Sequence, residues 1–256
     1  MIDLPADPAH LALAFMLVLT RTGAAMAVLP GLSEAAAPAM LRIGIALAIA
    51  ILLLPDLAPL VPPVPEAGLD AAAMVGAEAI TGLWFGWLAR IVVLALPTAA
   101  QFIAYLLGLT SVLQPDADLG PQTTALASLA NLAAPVILLV SGLYRLPLQA
   151  LAGLYRVIPP GTLMPAADST KMVVDAASQA FVLAVRLASP FIVAAIVWHV
   201  TIGLITRLVP RMQIYFVAMP GQIVGGLLLL AGLSTAILAA WQDATHASFL
   251  ALPGGG

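Results

Sequence analysis

Arg21, Glu78, Arg90 and His199 are ionisable side chains that stand inside apolar runs of this 256-residue chain. A charge at a bilayer centre costs about 2.5–3.5 kcal/mol on insertion scales, so each needs a partner or a route to water. Glu78 and Arg90 are twelve residues apart, roughly 120° around a helix, and do not share a face. Glu78 is therefore expected to meet a basic residue on another helix or another subunit. Arg90 is expected to snorkel to the cytoplasmic surface, and Arg21 to sit in a buried structural pair. His199, beside Trp198 on an apolar helix, reads as a hydrogen-bonded packing residue rather than a proton relay. No G-x-S-x-G, H-E-x-x-H or paired-carboxylate motif is present. There is no cysteine, and His10, His199 and His246 have no partner at ligand spacing. The expectation is no enzyme, no metal and no cofactor.

The elements that position these residues follow from composition. The chain is 62% hydrophobic and only 8% charged, with a mean hydropathy of +1.10. Soluble domains carry about a quarter of charged residues. The fold class is therefore all-α: an integral membrane protein of kinked helical hairpins. A net charge of −3 gives no footprint for nucleic acid, so none is expected as a partner, whereas membrane lipid is. The N-terminus is acidic where a signal peptide would be basic, so the first span is expected to stay in the mature protein.

Apolar segments are expected at about 10–29, 40–54, 71–96, 98–113, 172–208 and 214–241, with a fifth from about 123 that is interrupted by Pro135, then by Arg145 and Pro147, and continues as a short amphipathic piece to Ile158. Between them lie a proline-rich acidic connection at 55–70, a break at Pro159-Pro160-Gly161 and a polar loop at 165–171. Pro97 is expected to end or kink the third segment, and Pro190 to divide the sixth. Residues 246–256 read as a disordered tail. Acidic loops at 55–70 and 114–121, against arginines at 42, 90, 145, 207 and 211, place both termini outside and the arginine ends in the cytoplasm. Gly82 and Gly86 form a GxxxG pattern that allows close helix approach. The 107–122 stretch holds Gly108, Thr110, Ser111, Gln114, Asp116 and Gly120 between two apolar segments. The 203–226 stretch turns at Arg207, Pro210 and Arg211.

Three stretches together resemble the FliR family, the export-gate component of flagellar and related type III secretion systems. The first is RTGAAMAVLPGLSEAAAPAMLRIGIALAIAILLLP, Arg21 to Pro55. The second is ITGLWFGWLARIVVLALPTAAQFIAYLLGLTSVLQPD, Ile80 to Asp116, with Gln101 at the family's acidic or amide position. The third is LASPFIVAAIVWHVTIGLITRLVPRMQIYFVAMP, Leu187 to Pro220. Their order and spacing cover about 200 residues. The chain departs from the family at Arg211, where glutamine is usual, at Ser141-Gly142-Leu143, where Asn-Gly-His is usual, and at Ala100, where glycine is usual.

The resemblance implies a channel-forming subunit of the flagellar export gate in the bacterial inner membrane, within the basal body. It implies FliP-like and FliQ-like membrane subunits, FlhB-like and FlhA-like export proteins, and unfolded exported proteins in transit as partners. About 1–170 would be the FliP-like part and about 171–245 a FliQ-like hairpin. The 107–122 loop would help plug the channel. Arg21, Arg42, Glu78, Gln101, Arg207, Pro210, Arg211, Phe216 and Pro220 would be assembly contacts. An injectisome gate subunit is the alternative within the class. A secondary transporter is the alternative outside it, disfavoured by the lack of an inverted repeat or a charge cluster.

Overall fold

The structure, a computed structural model, describes residues 7–34, 38–109, 124–208 and 214–255, with the backbone alone at 214–217. The described residues form helices, one 3-10 turn and connections, with no strand among them. In chain order these are α1 (Pro8–Val28), α2 (Ala39–Leu57), the 3-10 turn Ala58–Leu60, α3 (Gly68–Val93), α4 (Ala95–Leu106), α5 (Ala125–Ser141), α6 (Arg145–Val157), α7 (Ala166–Leu208) and α8 (Ile214–Leu250). The all-α membrane fold expected from composition is what is found. Among the described residues five helical runs are long and apolar enough to cross a membrane, and α5 with α6 makes a sixth if the bent pair counts as one span.

Two compact units divide the chain, one of 1–93, 135–177 and 246–256, the other of 94–134 and 178–245. In the first unit α1 starts where Asp7 accepts a hydrogen bond from Ala9 N (3.0 Å) and Pro8 takes the first helical position. Leu13, Ala14 and Leu17 of α1 pack with Ala58 and Val61, and Val18 packs with Ala50, Leu57 and Tyr155. These contacts explain why α2 continues through Pro55 to Leu57, where the sequence suggested an extended connection beginning at Pro55. Burying Leu57 and Ala58 against α1 offsets the ~3 kcal/mol that proline costs inside a helix.

α1 and α3 approach closely at the GxxxG pair. A Cβ on Gly82 would collide with the Arg21 carbonyl and lie 2.9 Å from the Ala24 Cβ; one on Gly86 would lie 2.8 Å from the Ala25 carbonyl oxygen. Glycine is needed at both positions so that the α1 backbone can fit there. The break after α3 falls at Leu94, and Pro97 sits in the first turn of α4, where a missing N–H costs nothing. α5 and α6 bend by 76° around Gly142, whose φ is +76°. α6 is the short amphipathic piece expected to reach Ile158, with Ala150, Leu151, Leu154 and Tyr155 on its buried face.

Three further boundaries differ from the sequence reading. Residues 166–171, expected in a polar loop, are the first turns of α7: Asp168 suits the positive end of a helix, and the Ser169 carbonyl accepts from Trp84 Nε1 at 3.2 Å. Pro190 lies within an uninterrupted α7 rather than dividing it. The expected disordered tail is folded in its described part. α8 reaches Leu250, Phe249 is buried, and Gly254 (φ +86°) lies against the α6 backbone at Gly153 and Leu154.

The run Gly68–Leu106, 39 residues with the break at Leu94 inside it, counts as one candidate span by length and composition.

Candidate functional site

Arg21 and Glu78, set aside from the sequence as assembly contacts, are paired with each other inside the first unit. Both side chains are fully buried. Arg21 Nε donates to Glu78 Oε2 at 2.5 Å and Arg21 Nη2 donates to Oε1 at 2.9 Å, a two-pronged pairing that suits a planar guanidinium and a carboxylate. The break at 159–161 closes the cluster. Arg21 Nη1 donates to the Ile158 carbonyl at 2.8 Å, and Gly161 N donates to Glu78 Oε1 at 2.6 Å. The Tyr155 ring lies under the guanidinium, 4.2 Å from its carbon to the ring centroid, and the Tyr155 hydroxyl donates to the Val18 carbonyl at 3.3 Å. The two charges lock α1, α3 and the end of α6 together. With both carboxylate oxygens engaged by N–H donors, Glu78 is built to hold helices in register. The pair is fully buried and its polar groups are answered within the first unit.

Arg90, partly exposed, caps the end of α1. Its Nη1 donates to Ser33 Oγ at 2.7 Å and to the Val28 carbonyl at 3.4 Å, with Glu34 4.0 Å from Nη2. His199 Nδ1 bonds the Ala195 carbonyl one turn back at 2.7 Å, the packing role expected of it. Arg42 lines a cleft between α1 and α2.

The second unit holds the two bases of the 107–122 stretch. α4 ends in a full Schellman motif: Gly108 (φ +73°) donates to the Tyr105 carbonyl at 3.2 Å, and Leu109 N donates to the Ala104 carbonyl at 3.0 Å. Gln222 of α8 donates through Nε2 to the Leu106 carbonyl at 2.9 Å. On the far side, Gln101 Oε1 accepts from Thr124 N at 3.1 Å and from Thr124 Oγ1 at 3.0 Å, and Thr124 Oγ1 in turn accepts from Ala127 N at 3.2 Å. Gln101 thus ties α4 to the start of α5. Thr110, Ser111, Gln114, Asp116 and Gly120 lie outside the described residues, as do Pro210 and Arg211. Phe216 is described by its backbone only, in the first turn of α8. Arg207 is exposed in the last turn of α7, a favourable place for a cation, and Pro220 lies inside α8.

The sequence missed Thr124, Gln222 and Gly161 as partners. Only the Pro-Pro-Gly break carried a signal, and it named a turn, not the carboxylate the turn would bind. Among the described residues no group of histidine and carboxylate side chains could hold a metal ion.

Residues 12–248 match the model of a family described as bacterial export proteins, family 1. The chain belongs to this family, which is that of FliR. It is 30% identical to the flagellar biosynthetic protein FliR of Caulobacter vibrioides over 227 residues, 89% of this chain and 90% of that protein. It is 22% identical to the protein of the same name from Bacillus subtilis, over 85% of this chain and 84% of the relative. The Yop proteins translocation protein T of Yersinia pestis is 28% identical over 81% and 80% of the two chains. The FliR-family match runs through both compact units and includes the Arg21–Glu78 clamp and the Gln101 tie.

Proposed function

We propose that the chain is a channel-forming subunit of a type III protein-export gate in the bacterial inner membrane, moving unfolded flagellar proteins across it. The observation that carries this is the family match over residues 12–248, with relatives aligned over most of their own length. The flagellar reading follows the FliR relatives. An injectisome gate is the second reading, favoured by the similarity to the Yersinia translocation protein. The chain works by structure rather than catalysis, beside FliP-like and FliQ-like membrane subunits and FlhB-like and FlhA-like export proteins. Its first part, about 1–170, takes the FliP-like place, and about 171–245 the FliQ-like hairpin.

Within the gate, the 107–122 loop is the plug. Support comes from its two bases, where Gly108 ends α4 and Gln101 holds Thr124 at the start of α5. Gly108, with its positive φ at the end of α4, is a place where the chain could pivot. Its polar residues belong in a wet lumen, because irregular backbone at membrane depth survives only inside protein or beside water. Deleting Thr110 to Gln114 is expected to leave the complex assembled but leaky to ions. Conductance of the assembled deletion mutant that equals the parent's would sink the plug reading, and loss of co-purification with FliP-like and FliQ-like subunits would sink the intended separation of assembly from gating.

A further inference from the structure

α6 brings the chain back toward the middle of the membrane. α1 is a candidate span about 31 Å long, which matches a ~30 Å hydrocarbon core and puts its middle residue, Val18, near the midplane. α5 touches the chain just past the far end of α1: a Cβ on Gly31 would lie 3.7 Å from the Leu139 side chain and 3.9 Å from the Pro135 carbonyl oxygen. The end of α6 is level with Val18, whose carbonyl accepts from the Tyr155 hydroxyl at 3.3 Å. The turn that follows stays near that depth, held on Arg21 and Glu78 through Ile158 and Gly161. α7 then leads out the way α6 came in. Its Ser169 carbonyl accepts from Trp84 Nε1, and Trp84 stands between Gly82 and Gly86, which lie against Ala24 and Ala25, about 10 Å from Val18 along α1. Residues 145–171 are thus a re-entrant wedge within the first unit.

We infer that the exposed side of this wedge faces water at mid-membrane depth, as one wall of the export path. This rests on the channel-forming reading of the chain. Arg156 follows Tyr155 directly and is exposed. Half of a ~30 Å core, about 15 Å, is farther than an arginine side chain can snorkel. Arg145, Gln149 and Arg156 are all exposed and fall within roughly 40° of one another around α6, opposite buried Ala150, Leu151 and Leu154. The outer face of α6 is therefore polar along its length. Beside it, residues 158–165 are outside any helix, with Pro159 and Thr162 exposed. Irregular backbone at this depth survives only inside protein or beside water, and this stretch is not covered by its own chain.

Charge decides what covers the wedge. Asp168 and Lys171 at the start of α7 are exposed as well, so the wedge shows both signs. Lipid tails would exclude all four charges, and anionic headgroups would answer only the cations. A partner helix would have to match each charge with its opposite. Water solvates both signs without any matching.

The test places single cysteines in this cysteine-free chain and treats the assembled gate complex in lipid vesicles with a charged, membrane-impermeant thiol reagent. Arg156→Cys and Thr162→Cys probe the wedge. Ile51→Cys probes the apolar outer face of α2 at the same depth, because its neighbour Ala50 packs with Val18. An apolar surrounding raises a thiol's pKa, and each unit removes about tenfold of the reactive thiolate, so Ile51→Cys is expected to react at least about tenfold more slowly than either wedge variant. Equal rates at all three positions would overturn the inference, because the wedge would then not lie at hydrocarbon depth. Unreactive wedge cysteines would also overturn it, since lipid or a subunit would then cover them. Conductance tests the path separately. In the complex lacking Thr110 to Gln114, a bulky adduct on Arg156→Cys is expected to lower the conductance. Labelling with no loss of conductance would overturn the wall assignment and leave the channel standing, whereas a complex that does not conduct before labelling fails the channel reading and this inference with it.

Discussion

Replacing Glu78 with alanine is expected to be among the most damaging single changes in the first compact unit. The carboxylate is fully buried and answers three N–H groups: Arg21 Nε at 2.5 Å, Arg21 Nη2 at 2.9 Å and Gly161 N at 2.6 Å. Its removal leaves the Arg21 guanidinium as an uncompensated buried charge, still held by the Ile158 carbonyl but without a counter-ion. Breaking a buried pair in this way costs about 3–5 kcal/mol. Whole domains are stable by only about 5–15 kcal/mol, so about a fifth of the margin or more would go. The orphaned Gly161 N–H acts in the same direction, because an unsatisfied buried donor costs about 1–3 kcal/mol. The two losses share one site and do not simply add.

The assay is unfolding of the full-length chain in detergent, followed by circular dichroism, for the parent, Glu78→Ala, Arg21→Met and the double variant Arg21→Met with Glu78→Leu. The double variant removes both charges and replaces them with apolar groups of similar size, an exchange that is often neutral or better. It is expected to recover part of the loss but not all, because Gly161 N and the Ile158 carbonyl still lack partners. A Glu78→Ala chain within about 1 kcal/mol of the parent would refute the clamp. A double variant no better than the worse single variant would also refute it, since the pairing term would then be absent. Damage seen only in the assembled complex, with the isolated chain unaffected, would return Glu78 to the role of subunit contact.

Gly82→Leu is expected to wedge α1 away from α3 at the Arg21 carbonyl and Ala24 and to cost at least the ~1–3 kcal/mol typical of overpacking, whereas Gly76→Leu, where an added Cβ meets nothing within 4 Å, should be silent in the same unfolding assay. Replacing both Arg207 and Arg211 by glutamate is expected to abolish co-purification with FliP-like and FliQ-like subunits, because it puts two anions where positive charge favours the cytoplasmic side; intact recovery of the complex would count against that turn as an assembly element. Reporter fusions at Pro63 are expected to read periplasmic and fusions at Arg211 cytoplasmic. A fusion at Asp118 is expected to read periplasmic like Pro63, because both lie in acidic stretches without Lys or Arg, and the opposite pattern would overturn that orientation.

What could be read from sequence alone was what a short window records. Apolar length marked out the helices, and α6 begins at Arg145, one of the residues that interrupt the apolar pattern with Pro135 and Pro147. Helix ends were less legible because burial decides them. Pro55 should stop α2 by its own chemistry, yet Leu57 and Ala58 beyond it are buried against α1 and carry the helix on. The C-terminus misled for the same reason. Pro253 and the glycines after it read as a loose end, while the backbone at Gly254 takes a positive φ with the α6 backbone lying against it, a position that only a residue without a Cβ fits.

The site was legible one residue at a time and illegible as a set. Burial cost alone said that Arg21 and Glu78 each needed an opposite charge or water. It could not say that they answer each other across 57 positions, because neither helix face nor spacing links α1 to α3. The GxxxG pair held that link. Gly82 lies four residues, about one turn, beyond Glu78, and its missing side chain is what lets the Arg21 carbonyl come close. Once the glycines bring the two helices together at that level, the arginine and the glutamate fall opposite each other. Gly161 then closes the cluster, because its N–H needs an acceptor after a turn that two prolines force. A weak packing motif, two isolated charges and a chain break thus report one structure, and they become informative only when read jointly.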